Sequence, residues 1–121
     1  MAKSPRRKSP KPYRVYVTYL PDDRYYIGFS QKSDKLFEKY FGSARVIKEY
    51  IQDDTRPPLR KEIIAQYAVK SHAKMLEFLL QWKYRDDERC LNDMIHLRLR
   101  LSYLKDFKQI DWKPGYYQRS V

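Results

Sequence analysis

Residues 13–30 read YRVYVTYLPDDRYYIGFS, and this stretch decides the fold. Residues 13–20, YRVYVTYL, are aromatic, β-branched and alternating, the period-two pattern of a strand. Pro21-Asp22-Asp23 is a turn signal, because proline presets φ and aspartate hydrogen-bonds its own backbone. Residues 24–30, RYYIGFS, are a second β-rich run, so the two predict an antiparallel hairpin. Gly28 inside the second run marks a bulge or a close backbone approach.

Downstream, residues 31–41 read as a polar loop and a short helix, with Leu36, Phe37 and Phe41 turned inward. Gly42-Ser43 ends that piece and caps a helix from Ala44 to about Gln52 that buries Val46, Ile47, Tyr50 and Ile51. After the loop at 53–58, residues 61–69 (KEIIAQYAV) suit a third strand, with a helix as the competing reading. Ser71 reads as the N-cap of a helix to about Tyr84, whose apolar face runs through Met75, Leu76, Phe78, Leu79, Leu80 and Trp82. A last helix is expected over 93–104, through Met94, Ile95, Leu97, Leu101 and Leu104. The expected fold is a small α/β (α+β) domain over 13–104, with a central, mainly antiparallel three-stranded sheet flanked by helices. Residues 1–12 read as a disordered basic arm, and 105–121 as a basic aromatic tail.

The 121 residues allow one domain with a single modest core. At 42% hydrophobic the chain can fold, which excludes disorder along its whole length. No apolar run approaches the roughly 18 residues of a membrane span, and the first residues are basic and proline-rich rather than a signal-peptide core. One cysteine, Cys90, excludes an internal disulfide framework and a cysteine-based zinc site, and points to a reducing cytoplasm. The net charge of +11 asks for a polyanion. Taking the arm's five charges (Lys3, Arg6, Arg7, Lys8, Lys11) from it leaves +6 on the body, so the domain is basic too. Nucleic acid is the first candidate, an anionic membrane surface the second.

Phosphate-cradling glycine loops and nucleophile elbows are absent. His72 and His96 are 24 residues apart, outside metal-ligand spacing, and read as surface or helix-packing residues. Asp53-Asp54 and Asp86-Asp87-Glu88 read as solvated charge clusters in polar loops.

The hairpin carries more. Val15-Tyr16 stands on the first strand and Tyr26-Ile27-Gly28 on the second, with the tyrosines at 16 and 26 ten residues apart. With these residues the chain resembles the GIY-YIG nuclease family, whose two tripeptides sit on adjacent strands at about this separation. The second tripeptide matches as written; the first, Arg14-Val15-Tyr16, lacks the glycine. Tyr40 stands fourteen residues past Tyr26, where the family carries a histidine or tyrosine. The family arginine would fall at Leu36, a departure. Tyr40-Phe41-Gly42-Ser43-Ala44-Arg45 is similar to a run in small phage-type members, so Arg45 takes the role of the missing cation, helped by Lys35 or Lys39. Glu77 and Asn92, fifteen residues apart, fall where the family has a metal-binding glutamate and a later asparagine.

The resemblance implies a phosphodiester hydrolase acting on DNA with one Mg²⁺ or Mn²⁺ and no small-molecule cofactor. It implies Tyr16 as general base, Tyr26 orienting water or phosphate, Tyr40 beside them, and Arg45 as phosphate clamp. Glu77 would hold the metal and Asn92 support the site by hydrogen bonding. These residue types suit the reaction, which needs an activated water, a charge clamp and a stabilised leaving oxygen. DNA contacts are expected from Lys35, Lys39 and Arg45, and from Arg6, Arg7 and Lys8 in the arm. Residues 13–104 leave no room for a separate specificity domain, so sequence preference would come from loops, tails or a homo-oligomer. The location implied is cytoplasmic, that of the host for a phage-encoded chain. Two rivals stand beside this reading. One is a non-catalytic nucleic-acid-binding protein on a GIY-YIG-like scaffold, favoured by Leu36 and the missing glycine; the other is a ribosomal or nucleoid structural protein.

Overall fold

The computed structural model describes residues 13–93, 95 and 100–117. Three strands, β1 (Tyr13–Tyr19), β2 (Tyr25–Ser30) and β3 (Arg60–Tyr67), form an antiparallel sheet in the order β2-β1-β3. With the helices α1 (Asp34–Glu38), α2 (Arg45–Ile51) and α3 (Lys70–Lys83), the fold is mixed α+β, as the sequence pattern predicts. Segment 60–67 is a strand, which decides against its helical reading. Among the described residues, no helix is long and apolar enough to cross a membrane.

The hairpin closes where the turn residues require. The Leu20 N–H donates to the Arg24 carbonyl at 2.8 Å, and Asp23 takes a positive φ of 70°, which aspartate tolerates better than most residues. Its register sets Tyr16 opposite Gly28 and Thr18 opposite Tyr26. Between β1 and β3 the register slips at Val15/Tyr16, leaving Ile64 as the extra residue of a bulge.

Alternation along β1 divides the molecule. Val15, Val17 and Tyr19, with Tyr25 and Ile27 of β2, pack on Ala73, Leu76 and Leu80 of α3 and on Trp112. Arg14, Tyr16 and Thr18 face the segment that carries α1 and α2. There Phe37 meets the Tyr16 ring edge-on at 5.3 Å, and the Thr18 hydroxyl donates to the Phe41 carbonyl at 2.6 Å. A smaller cluster of Leu20, Ile47 and Leu59 fixes α2. Residues 112–117 return to the sheet: Tyr84 donates to the Trp112 carbonyl at 2.7 Å, and the Gly115 N–H donates to the Tyr19 hydroxyl at 2.9 Å.

Several sequence expectations are corrected. Leu36 is 62% exposed, because a five-residue helix has one inward direction and Phe37 takes it. On α2 only Ile47 is buried, while Val46 and Ile51 face solvent; a two-turn helix touching one small cluster has no wider face to hide. Helix α3 starts at Lys70 with Val69 as N-cap, so Ser71 lies inside it and caps nothing. Val69 is still extended (φ −112°, ψ 123°), and the chain passes almost directly from strand to helix. Trp82 is half exposed, leaving Ala73, Leu76, Leu80 and Gln81 as the buried face of α3. Much of the helix expected over 93–104 lies outside the described residues; its last part, Leu101–Leu104, is a 3-10 turn with Leu101 in solvent and none of its four residues buried. Met94, His96, Leu97 and the basic arm with Arg6, Arg7 and Lys8 lie outside the described residues.

Candidate active site

Strand β2 is an edge of the sheet, and a cleft of about 340 Å³ opens along it between the α3 side and the α1–α2 side. Tyr26, Tyr40, Ser43, Lys74, Glu77 and Asn92 are among its walls. The sequence therefore places four of its six catalytic candidates on one cleft. Tyr16 is the fifth, set behind the wall: it is fully buried, with ring centroids 6.5 Å from Tyr26 and 6.0 Å from Tyr40.

The glycine of Tyr26-Ile27-Gly28 explains how Tyr16 is held. The Tyr16 ring lies across Gly28, and a Cβ there would stand 2.5 Å from the ring's Cζ and hydroxyl. Gly42 repeats the device with φ 131°: a Cβ on it would come within 2.8 Å of the Tyr26 ring. Two glycines thus make the space in which the two tyrosines meet. Gly28→Ala is expected to destabilise the fold by about 1–3 kcal/mol through overpacking. Thermal unfolding checks this, and a Tm equal to the parent's would mean that the Tyr16 ring has another place to go.

Burial pushes the Tyr16 phenol far above its ordinary value near 10. The neighbouring Tyr40 and Tyr26, a hydrogen bond with Tyr40 and the charge of Glu77 act in the same direction. Burial also raises Tyr26, opposed by hydrogen bonding with Ser43. Both shifts favour the neutral phenol, and a cation placed beside either ring would oppose them.

The loop carrying Tyr40 is fixed from below. Lys61 of β3 donates to the Tyr40 carbonyl at 2.7 Å and to the Phe37 carbonyl. Burial, and then the nearby Arg14, depress its pKa. Arg14 occupies the position where the resemblance expects glycine. Its guanidinium lies 4.7 Å over Phe37, donates to the Lys32 carbonyl at 2.7 Å, and pairs with Asp34 at the start of α1. Arg14 thus anchors α1 to the sheet.

On the opposite wall, Glu77 has a side chain only 12% exposed and pairs with Lys74 at 3.1 Å, three residues earlier on α3. Asn92 grips the edge strand. Its Oδ1 accepts from the Ile27 N–H at 2.8 Å and its Nδ2 donates to the Ile27 carbonyl at 2.8 Å. Gln81 donates to the same carbonyl at 3.1 Å. These bonds hold the peptide next to Tyr26.

The expected cations are not on the cleft walls. The Arg45 side chain is 90% exposed and pairs with Glu49 at 2.9 Å, and Lys35 and Lys39 stand in solvent. Sequence reading passed over Lys74, Ser43 and Gln81. The i−3 and i+4 spacing of Lys74 and Gln81 from Glu77 was the available signal. Lys32 was also missed; its ammonium lies 4.7 Å from the Tyr40 ring centroid. His72 packs between Tyr67 and Phe107, with Nε2 3.0 Å from the Tyr103 carbonyl, a structural placement. Asp87, read as part of a solvated cluster, accepts from the buried Tyr25 hydroxyl at 2.6 Å, and that bond holds its carboxyl below the usual range.

Among the described residues, no group of three or more His, Cys, Asp and Glu comes together to hold a metal. Glu77 and Asp93 do share the cleft, which presents oxygen donors and neither histidine nor cysteine. Such a set fits a hard cation that keeps most of its shell as water and substrate oxygens. Searches for a matching family model, a matching curated protein or a matching solved structure find none.

Proposed function

We propose that this chain is a metal-dependent DNA endonuclease with a tyrosine-centred, GIY-YIG-type site at the β2 edge. One observation carries the reading: Tyr26, Tyr40, Glu77 and Asn92, on four separate segments, line a single cleft with Tyr16 immediately behind them. A plain strand-and-helix core has no need of that convergence. The +11 charge supplies affinity for a polyanion.

In this reading Glu77 holds Mg²⁺ or Mn²⁺, which when bound offsets charge developing on the phosphate and favours ionisation of nearby water and phenol groups. Tyr26, its hydroxyl fixed by Ser43, orients the attacking water. Tyr16 is the general base and reaches the cleft through its hydrogen bond with Tyr40. Asn92 and Gln81 hold the Ile27 peptide, and with it the Tyr26 backbone. A cytoplasmic location, in the host for a phage-encoded chain, goes with this reading.

The rival, a non-catalytic nucleic-acid-binding protein on the same scaffold, draws support from one specific observation. Leu36 and Arg45 both point to solvent, so no guanidinium from either position meets the cleft. Supercoiled plasmid separates the two. The expected result is nicking with Mg²⁺ or Mn²⁺ that stops on adding a chelator. Retardation of DNA with no nicking under either ion would favour the rival.

A further inference from the structure

We infer that Lys74 is the cation that meets the scissile phosphate, and that it is released for this task by the divalent ion that Glu77 takes up. This inference rests on the nuclease reading above. Lys74 and Glu77 lie one helical turn apart on α3, 3.1 Å from each other, with side chains 22% and 12% exposed. Both line the cleft that Tyr26 and Tyr40 face. The Lys74 ammonium also lies 4.9 Å from the Phe29 ring centroid, a contact that holds its stem against the β2 side of the cleft.

Charge balance gives the pair a consequence. Without a metal, the ammonium and carboxylate satisfy each other, and the cleft attracts an incoming phosphate weakly. A divalent ion on Glu77 competes with the ammonium for the same oxygens and repels it. Lys74 has four rotatable carbons, so it can swing from the carboxylate to a phosphate oxygen while remaining in the cleft. Two positive centres then face the phosphate from one helix turn. Metal and phosphodiester binding become positively coupled, and by reciprocity each strengthens the other. The clamp comes from the metal-binding helix, whereas the resemblance would bring it from the segment after the hairpin.

Lys74→Met keeps the apolar stem and removes the charge; Lys74→Arg keeps the charge. Three measurements on the full chain decide the matter, with circular dichroism as a check on folding. In a Mn²⁺ titration without DNA, followed by electron paramagnetic resonance, Lys74→Met should bind the ion roughly tenfold more tightly, since a like charge beside the carboxylate is gone. In plasmid nicking at saturating Mn²⁺, Lys74→Met should be slower by about 10²-fold, the usual cost of losing one transition-state donor, and Lys74→Arg should recover most of the rate. With Mn²⁺ present, the slope of log affinity for DNA against log salt should fall by about one for Lys74→Met.

Equal Mn²⁺ affinity in parent and Lys74→Met would overturn the exchange. Nicking by Lys74→Met within a few-fold of the parent would overturn the phosphate contact, whatever the Mn²⁺ result. A parent that does not nick removes the nuclease reading. The Mn²⁺ titration then still decides the exchange, and the salt slope still decides the phosphate contact.

Discussion

Glu77→Gln should abolish metal-dependent nicking, with a loss beyond about 10²-fold, while leaving the protein folded and its metal-free DNA affinity undiminished. Loss of a group that merely supports a metal ligand costs about 10–100-fold, so loss of the ligand charge itself should exceed that. Glutamine has nearly the shape of glutamate, and position 77 is not among the buried residues of α3, so the helix should keep its packing. The Lys74 ammonium, now beside a neutral amide, is free to meet DNA phosphate. Without metal, affinity should therefore hold or rise; with Mg²⁺ or Mn²⁺ the variant lacks the gain that the parent draws from its bound ion. Fluorescence anisotropy with a labelled duplex beside plasmid nicking reads both quantities. Undiminished nicking would remove Glu77 from the chemistry.

Tyr16→Phe should slow nicking by about 10²–10⁴-fold, the range for a lost general base, with little change in DNA affinity. The variant deletes one hydroxyl and leaves the ring across Gly28 and against Phe37. Because Tyr16 is walled off from the cleft, the base proposed above would act through Tyr40. Tyr40→Phe should cost a similar factor, and the double variant little more than either single one, since groups acting as one unit are strongly non-additive. Single-turnover kinetics of the three variants test this. Multiplicative losses would mean two independent roles, and parent-like rates in both singles would return the tyrosines to packing.

The hairpin was legible because alternation and turn chemistry are local: YRVYVTYL, Pro21-Asp22-Asp23 and RYYIGFS each encode their conformation within a few residues. The third strand was legible only in part: residues 61–69 read as strand or helix, and the pairing of 60–67 with β1, which decides it, depends on contacts across the chain. Leu36, Val46, Ile51 and Trp82 were misread for a common reason. Periodicity marks which residues share a face, yet not how much of that face a small sheet can cover. The candidate site was legible in Tyr16, Tyr26, Tyr40, Glu77 and Asn92, because these types stand at a separation that a resemblance supplies. Arg45 was assigned by its type in a run, and the short α2 turns it outward. Lys74 went unread because a lysine on a helix is ordinarily solvated; only the cleft on that side of α3 distinguishes it. The role of Arg14 was hidden in the same way, as a departure whose use appears only with α1 in place.

The grip of Asn92 on Ile27 bears on how the molecule behaves in a crowd. An unpaired strand edge is a template on which another chain can grow a sheet. On β2 that edge is occupied at Tyr25 and Ile27: the Arg89 carbonyl and Leu91 N–H bond Tyr25, and the Asn92 amide takes both groups of Ile27. A single side chain thus acts as the next strand would, and denies the position to a stranger. Among the described residues no strand lies outside β3, so templated growth would have to begin there. That border opens with Arg60, Lys61 and Glu62 and is broken by a bulge at Ile64. Charge and irregularity guard one border of the sheet, and an asparagine guards the other.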